Sequence, residues 1–224
     1  VEHVIDVGAG SARHSIMFAS WGLRVIAVDP DESMLAQARV NAERFAEQIV
    51  AGGGSLDVVQ GGFGDLERLD LGAADAVVCT GNALPHVEGR DGLRQTLADF
   101  SSALKRGGIL VLHLLNHERL LAKKPRVVPP KVVETGDETK VFVRVIDYPE
   151  DGETLDFDFV TMARDASGRW SLSSRRSPHT AIPVSLLGEE LSRAGFAAPE
   201  IFGGHDGHAL TEADESVIVV AEKR

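Results

Sequence analysis

The stretch Val4–Ala12, with the sequence VIDVGAGSA, decides the fold predicted for this chain. Val4–Val7 is typical of a buried strand, and Ala12–Ser20 is predicted to be the helix that follows the glycine turn. Glycine lets the backbone turn sharply and approach a ligand because no Cβ stands in the way. The first turn of the helix offers unpaired N–H groups and a positive dipole end to an anionic group. The stretch therefore predicts a ligand site at the carboxyl end of the first strand.

A second strand, predicted over Arg24–Val28, ends in a carboxylate. This residue, Asp29, lies nineteen positions after Gly10. An acid at the end of the second strand of such a unit can accept hydrogen bonds from the hydroxyls of a ribose. The glycine turn and Asp29 together predict a nucleoside-bearing cofactor that lies across the carboxyl ends of parallel strands.

The spacing of the glycines discriminates between cofactor classes. The dinucleotide fingerprint is G-x-G-x-x-G, and its third glycine allows close packing of helix and strand under a pyrophosphate. Here the third position is Arg13, whose long side chain fits poorly. The pattern is instead an acid, two glycines and a small residue, at Asp6, Gly8, Gly10 and Ala12.

This pattern resembles motif I of the class I S-adenosylmethionine-dependent methyltransferases, in which glycine is usual at the position of Ala12. The resemblance implies S-adenosyl-L-methionine as the cofactor, with its methionyl part cradled by the turn and its ribose bound by Asp29. Three alternatives stay open: a nicotinamide-dependent oxidoreductase, a flavin enzyme, and another nucleoside-binding α/β protein.

Composition and charge restrict the partners of the chain. It has 224 residues, of which 43% are hydrophobic and 25% charged, as is usual for a globular domain with a sizeable core. Its net charge of −11 disfavours nucleic-acid substrates, since the basic residues form only short clusters such as Lys123-Lys124 and Arg175-Arg176. No apolar run approaches the ~20 residues that span a bilayer, so no membrane association is expected.

The single cysteine, Cys79, excludes an internal disulfide and suits a reducing, cytoplasmic environment. It lies in an apolar run, so a buried small hydrophobe is a better interpretation than a nucleophile.

Apolar strands that alternate with amphipathic helices predict an α/β fold with a doubly wound, seven-stranded, mostly parallel, Rossmann-like sheet. After the first two strands, the others are predicted at Leu56–Gln60, Ala74–Cys79, Ile109–Leu115, Ile201–Phe202 and Val217–Ala221. The helices after the first are predicted at Asp31–Gln48, Leu93–Leu104 and Ser185–Ala194.

Residues 131–180 carry alternating strand patterns without a convincing helix. The runs are Val141–Ile146, Leu155–Val160 and Trp170–His179, and turn residues separate them. We expect one domain over residues 1–224 with an antiparallel insertion after the fifth strand. Because ligands of open α/β sheets lie outside the carboxyl ends of the strands, the insertion is predicted to roof the substrate pocket. The alternative is that these strands form the interface of a homo-oligomer or extend the sheet.

The first half of the chain resembles small-molecule class I methyltransferases, specifically the glycine N-methyltransferase and glycine/sarcosine methyltransferase group, and this resemblance implies a small-molecule substrate. The Gly81-Asn82 pair is the more discriminating feature, because motif I belongs to the whole superfamily. The segment after the fifth strand departs from the group's substrate-binding stretch, which argues against glycine itself as the substrate. Members of the group usually carry helices before the first strand that cover the cofactor, so either such residues precede Val1 or the cofactor face is open. The matching segments are Asp6–Met17, Val28–Leu35, Val77–His86 and, more weakly, Leu115–Leu121.

The resemblance also implies which residues contact the cofactor. Gly62 stands where a carboxylate that recognises the adenine amino group is usual, and Phe63 can pack on the ring. Asp65 either replaces the missing acid or caps its own loop. The implied cofactor-binding residues are Asp6, Gly8, Ala9, Gly10, Asp29, Pro30, Met34, Gly62, Phe63, Thr80 and Gly81.

Methyl transfer from a sulfonium needs in-line approach of a nucleophile, so positioning and desolvation can supply most of the catalysis. Asn82 is predicted to orient an amine, the favoured nucleophile. A hydroxyl would need a general base, and His86 and His117 follow the fourth and fifth strands where such a base belongs; each is alternatively a structural histidine. The predicted catalytic residues are Asn82, His86 and His117, and the predicted substrate-binding residues are Asn82, Asn116 and Arg119.

No metal site is predicted. His113 and His117 are four residues apart but have no accompanying helix or acid in metalloprotease order. The loop Gly203–His208 offers two histidines and one aspartate, too few for a defined site. A non-catalytic S-adenosylmethionine-binding module is a second functional hypothesis, motivated by the departures at Ala12, Gly62 and the segment around Asn116.

Overall fold

A seven-stranded sheet forms the centre of the computed structural model, which describes every residue from Val1 to Arg224. Its strand order is β10-β11-β5-β4-β1-β2-β3. The strands β3, β2, β1, β4 and β5 pair in parallel, β11 pairs antiparallel with β5, and β10 pairs antiparallel with β11. The predicted α/β fold class is confirmed. The strands are β1 (His3–Val7), β2 (Arg24–Asp29), β3 (Ser55–Gln60), β4 (Ala74–Cys79), β5 (Leu104–Leu115), β10 (Glu200–Phe202) and β11 (Ser216–Glu222).

Helices cover both faces of this sheet, because alternate strand residues point to opposite sides. Val4 of β1 packs in one apolar layer with Ile16, whereas Ile5 packs in the other layer with Phe100. None of the helices is both long enough and apolar enough to cross a membrane. The helices are α1 (Arg13–Ser20), α2 (Glu32–Arg44), α3 (Ala46–Gly52), α4 (Leu66–Leu69), α5 (Gly89–Ala103), α6 (His117–Lys123) and α7 (Val184–Arg193).

Several predicted element boundaries differ from the structure, and two of these differences bear on the packing. The helix expected over Asp31–Gln48 breaks at Phe45, after which α3 brings Ile49 into the layer beneath α1. The fifth strand, expected over Ile109–Leu115, already begins at Leu104, and residues 105–108 form a bulge where the register with β4 shifts. Gly107 N–H donates to the Lys223 carbonyl at 2.9 Å, so the bulge is tied to the end of β11.

Four further strands form a separate antiparallel sheet in the order β6-β7-β8-β9. They are β6 (Val127–Thr135), β7 (Glu138–Asp147), β8 (Thr154–Arg164) and β9 (Trp170–Thr180). The insertion therefore begins at residue 127 rather than 131. Its first strand was not predicted because Pro129 and Pro130 lack N–H donors, and the pairing of β6 with β7 is interrupted there.

The inserted sheet is anchored to the rest of the molecule by a small apolar cluster. Ile146 and Phe157 of the sheet pack there with Leu120 of α6, and all three are buried. The side of the inserted sheet that carries Phe157, Ser177 and His179 is called the inner face below.

Candidate active site

A cavity of about 650 Å³ opens at the carboxyl ends of β1, β2 and β4. It lies beside the glycine turn, as the sequence predicts. The predicted site residues that line it are Gly8, Ala9, Gly10, Asp29, Pro30, Met34, Phe63, Thr80, Gly81, Asn82 and His86. The predicted residues that do not line it are Asp6, Gly62, Asn116, His117 and Arg119.

The glycine turn packs too closely against its surroundings for side chains. Gly8 has φ of 71°, and a Cβ there would lie 2.7 Å from the Cβ of Ala83. The N–H groups of Gly8 and Ala9 both donate to the Val28 carbonyl, at 2.8 and 3.1 Å. The turn is therefore fixed to β2 on one side and to the loop after β4 on the other.

Ala12 occupies the position where the resembled family usually has glycine. Its φ of 60° and ψ of 30° are left-handed, a conformation that costs an alanine about 1–2 kcal/mol. The residue is fully buried in a cluster with Ala27 and Ala38, so only a small side chain fits. The departure from the family pattern is thus accommodated within the same local geometry.

Asp29 is held by two backbone donors at the edge of the cavity. Its Oδ2 accepts from Gly10 N–H at 2.8 Å, and its Oδ1 accepts from Asp31 N–H at 3.0 Å. A carboxylate oxygen has two lone pairs, so each oxygen keeps one acceptor position for a ligand. This arrangement fits the two hydroxyls of a ribose, and it supports the predicted role of Asp29.

Asp6 is buried behind the turn. Its Oδ2 accepts from the Ser15 hydroxyl at 2.5 Å, which links β1 to α1. Burial raises the pKa of this carboxyl group. Asp6 therefore positions α1, whose residues Arg13 and His14 line the cavity, and does not itself reach a ligand there.

The loop after β3 forms the predicted adenine side of the cavity. Phe63 lines the cavity, and its ring packs edge-on against Phe100 with centroids 6.0 Å apart. Gly62 N–H donates to Asp65 Oδ2 at 2.8 Å, and Arg68 pairs with the same carboxylate. These two groups lower the pKa of Asp65. Of the two interpretations of Asp65, the cap of its own loop matches this geometry.

Asn82 lies between the ends of β4 and β5. Its backbone is left-handed, with φ of 64°, and its N–H donates to the His113 carbonyl. Its Oδ1 accepts from Leu115 N–H at 2.9 Å, and its Nδ2 lies 3.4 Å from His179 Nδ1. The amide is therefore held in one orientation at the wall of the cavity.

Two histidines pack together beside the cavity, and of these two His86 lines it. The His86 and His179 rings are 4.3 Å apart, and His86 Nδ1 lies 3.4 Å from the Ser177 hydroxyl. Burial, together with the nearby charge of Arg175, lowers the pKa of His86. Burial also lowers the pKa of His179 to about 3, so both imidazoles are neutral at pH 7. His179 was not predicted as a site residue.

The residues predicted after β5 point away from the cavity. His117 is buried, its Nδ1 accepts from Ile182 N–H at 2.7 Å, and burial lowers its pKa to about 4. Asn116 caps α6 by accepting from Arg119 N–H at 3.1 Å. Asn116 and Arg119 line a separate cavity of about 420 Å³ with residues of the loop before β11. The reason is the helix α6, which was not predicted from the sequence. This helix directs all three side chains away from the cavity.

The cavity also contains residues that the sequence analysis did not assign to it. Most of them are neighbours of predicted residues, so a wider window around each motif would have included them. Arg175 of β9 is the exception, because it approaches from a distant part of the chain. These residues are Ser11, Arg13, His14, Asp31, Ala83 and Arg175.

No cluster of three or more metal-ligating side chains occurs in the chain. The His208 ring of the glycine loop bonds to the carboxylates of Asp206 and Asp214. These bonds raise the pKa of His208.

Comparison with known proteins finds relatives that are similar to the chain in sequence and structures that are similar to it in fold. Residues 4–108 match the family described as a methyltransferase domain. The chain is 36% identical over 118 residues to a glycine/sarcosine N-methyltransferase of Parasynechococcus marenigrum, over 53% of this chain and 39% of the relative. It is 27% identical over 209 residues to the glycine N-methyltransferase of Oryctolagus cuniculus, over 86% of this chain and 68% of the relative.

Among solved structures, an S-adenosylmethionine-dependent methyltransferase from Clostridium acetobutylicum superimposes with a TM-score of 0.80. It shares 12% identity, over 99% of this chain and 84% of that one, which shows the fold. The chain spans only 20% to 43% of the length of the four N-methyltransferases that it matches at 32% to 36% identity. In fold over its whole length, and in sequence over its first half, the chain is similar to S-adenosylmethionine-dependent methyltransferases. The resemblance predicted from the sequence is confirmed, and it supports S-adenosylmethionine as the predicted cofactor.

Proposed function

We propose that this chain catalyses S-adenosylmethionine-dependent methylation of a small-molecule nucleophile, with an amine or amino acid favoured over a hydroxyl. One observation carries the proposal: Asp29 keeps a free acceptor position on each oxygen, at the edge of the glycine turn. The glycine and sarcosine N-methyltransferases among the relatives support an amine acceptor.

The residues along the cavity divide into a cofactor side and an acceptor side. On the cofactor side, Asp29 would hold the ribose, the turn Gly8–Gly10 the methionyl part, and Phe63 the face of the adenine. When bound, S-adenosylmethionine supplies a methyl group on a positively charged sulfur, which a nucleophile displaces in line.

On the acceptor side, Asn82 and His86 are the candidate catalytic residues. The fixed amide of Asn82 orients the acceptor, and positioning of this kind lowers the entropic part of the barrier. An ammonium group must lose a proton before its lone pair can attack. The neutral imidazole of His86 is the group that accepts it. His117, Asn116 and Arg119 are removed from the proposal because they lie outside the cavity.

The inserted sheet completes the acceptor side in this proposal. Arg175 on β9 lines the cavity, and Ser177 lies next to His86. These two contacts support the predicted roofing role of the insertion. The identity of the side chains on its inner face would then select the acceptor.

Isothermal titration calorimetry with S-adenosylhomocysteine and NADH tests the cofactor part. We expect binding of S-adenosylhomocysteine that weakens about tenfold or more in Asp29→Ala, because two charge-assisted hydrogen bonds are lost. Asp57→Ala, which removes an exposed acid from β3, is the matched control and should bind as the unmodified chain does. Tighter binding of NADH than of S-adenosylhomocysteine would point to an oxidoreductase instead.

A transfer assay with radiolabelled S-adenosylmethionine tests the catalytic part, using a panel of amines, amino acids and phenols. Methyl transfer to at least one amine is expected. Binding of S-adenosylhomocysteine without transfer to any acceptor would favour the non-catalytic binding module.

A further inference from the structure

We propose that the acceptor carries an acidic group, a carboxylate or a phosphate, and that Arg175 binds this group with the help of Arg144. The inference rests on the proposed function and specifies its substrate class. It follows from three observations on the inner face of the inserted sheet.

The first observation is the position of the two arginines. Arg144 of β7 pairs with Phe159 of β8, and Phe159 pairs with Arg175 of β9. Directly paired residues of antiparallel strands point to the same face. Since Arg175 lines the cavity, Arg144 lies on the inner face as well, about 10 Å away across two strand spacings. Both side chains are long enough to reach a group between them.

The second observation is that neither arginine has a partner within the chain, in contrast to their neighbour Arg176. Arg176 points to the outer face and pairs with Asp147, Asp156 and Asp158, at 3.2, 2.8 and 3.5 Å. No carboxylate or carbonyl of the protein occupies Arg144 or Arg175. An arginine that a strand directs into a cavity without a counterion is suited to bind an external anion.

The third observation is the distribution of charge around the cavity. Its two carboxylates, Asp29 at the end of β2 and Asp31 at the start of α2, both lie on the cofactor side. The acceptor side has the amide of Asn82, the neutral imidazole of His86 and the positive charge of Arg175. The positive charge of Arg175 is also one of the causes that lower the pKa of His86. Although the net charge of the chain is −11, the positive charge on the acceptor side favours an anionic ligand there.

An ion pair with Asp31 is the competing role for Arg175, because both residues line the cavity and the charge of Arg175 contributes to the lowered pKa of Asp31. Asp31 already accepts through Oδ1 from the N–H groups of Ser33 and Met34, as the cap of α2. An Arg175–Asp31 contact would close the cavity over the cofactor. Loss of Arg175 would then weaken binding of the cofactor rather than of an anion.

Anion titration into the chain saturated with S-adenosylhomocysteine tests the proposal. Acetate and inorganic phosphate serve as probes, and isothermal titration calorimetry measures their binding. Saturable binding of at least one probe is expected, weakened about tenfold or more in Arg175→Gln and less in Arg144→Gln. The probe that binds more tightly identifies the acidic group. Arg193→Gln removes an exposed, unpaired arginine from α7 and should leave binding unchanged.

The transfer assay provides a second readout with matched acceptors. An amino acid that the panel identifies as an acceptor is compared with its amide, and glucosamine 6-phosphate with glucosamine. An Arg175→Gln variant should raise KM about tenfold for the anionic member of a pair and leave the neutral member unchanged.

Three results would overturn the proposal. Equal anion binding in Arg175→Gln and the unmodified chain is one, and absence of anion binding in the unmodified chain is another. A loss of S-adenosylhomocysteine affinity in Arg175→Gln, with anion binding intact, would assign Arg175 to the Asp31 contact. In these cases S-adenosylhomocysteine still binds to the unmodified chain, so the proposed function stands. Failure of the unmodified chain to bind S-adenosylhomocysteine would remove both.

Discussion

The Oδ1 atom of Asn82 accepts a hydrogen bond from the backbone N–H of Leu115 at 2.9 Å. This bond joins the loop after β4 to the last residue of β5, so one amide side chain holds together two strand ends at the cavity. It leaves Nδ2 to face His179. The Oδ1 atom therefore has a structural role, whereas Nδ2 is the atom that can orient an acceptor.

Two substitutions of Asn82 distinguish the role of Oδ1 from the role of Nδ2. Asn82→Asp keeps an acceptor for Leu115 N–H and removes the Nδ2 donor, whereas Asn82→Gly removes both and suits the left-handed backbone. We expect methyl transfer to fall in both variants. The free energy of unfolding should fall by about 1–3 kcal/mol in Asn82→Gly alone, because a buried N–H loses its partner. Urea unfolding and the transfer assay measure these effects, and full activity in Asn82→Asp would contradict the assigned role.

The glycine turn predicts a difference between two alanine substitutions. Gly8 and Gly53 are both left-handed, with φ of 71° and 81°, but an added Cβ meets Ala83 at 2.7 Å only at Gly8. Gly53→Ala should cost about 1–2 kcal/mol from backbone strain. Gly8→Ala should cost about 1–3 kcal/mol more from overpacking, and it alone should weaken S-adenosylhomocysteine binding. Equal effects of the two variants on stability and affinity would show that the turn is not closely packed.

The proposed role of His86 as a general base predicts that methyl transfer depends on pH. Burial and the charge of Arg175 hold its pKa below the ordinary value of 6.5. A base must be unprotonated, so kcat/KM should fall as the pH decreases through this lowered pKa. His86→Gln should reduce kcat about a hundredfold and abolish this acidic limb while S-adenosylhomocysteine affinity is unchanged. His205→Gln, at an exposed loop position, is the control, and persistence of the limb in His86→Gln would exclude His86 as the base.

His117 predicts a pH dependence of stability. Its pKa is about 4 in the folded chain and near 6.5 when unfolded, so between these values the unfolded state binds the extra proton. The free energy of unfolding should therefore fall by about 1.4 kcal/mol per pH unit as the pH decreases in this window. His117→Asn keeps an acceptor for Ile182 N–H and should remove this contribution. Urea unfolding at a series of pH values, with His205→Asn as control, measures the slope, and identical slopes would contradict the assignment.

The cofactor side of the cavity was predictable because its residues are close in the sequence. The turn from β1 to α1 and Asp29 at the end of β2 follow from strand patterning and glycine spacing alone. Asp6 is a residue whose role could not be predicted in this way. Motif spacing identifies the acid, but only the position of Ser15 shows that it supports α1 from behind.

The acceptor side was not predictable in the same way. Asn116, His117 and Arg119 follow β5 directly, and a loop there would have brought them to the cavity. The short helix α6 buries His117 instead. Arg175 reaches the cavity, and His179 reaches His86, only through the packing of β9 on the remainder of the fold, and no local pattern specifies that packing.

The alternation of Arg175 and Arg176 along β9 makes the length of the preceding turn a control on specificity. The turn at residues 165–169 sets the register of β9 against β8. Inserting one residue there would exchange the two guanidinium groups, so that the arginine now held by three aspartates would enter the cavity. Gain or loss of a single codon for this turn would therefore change which charged side chains line the cavity, without any substitution of the lining residues themselves.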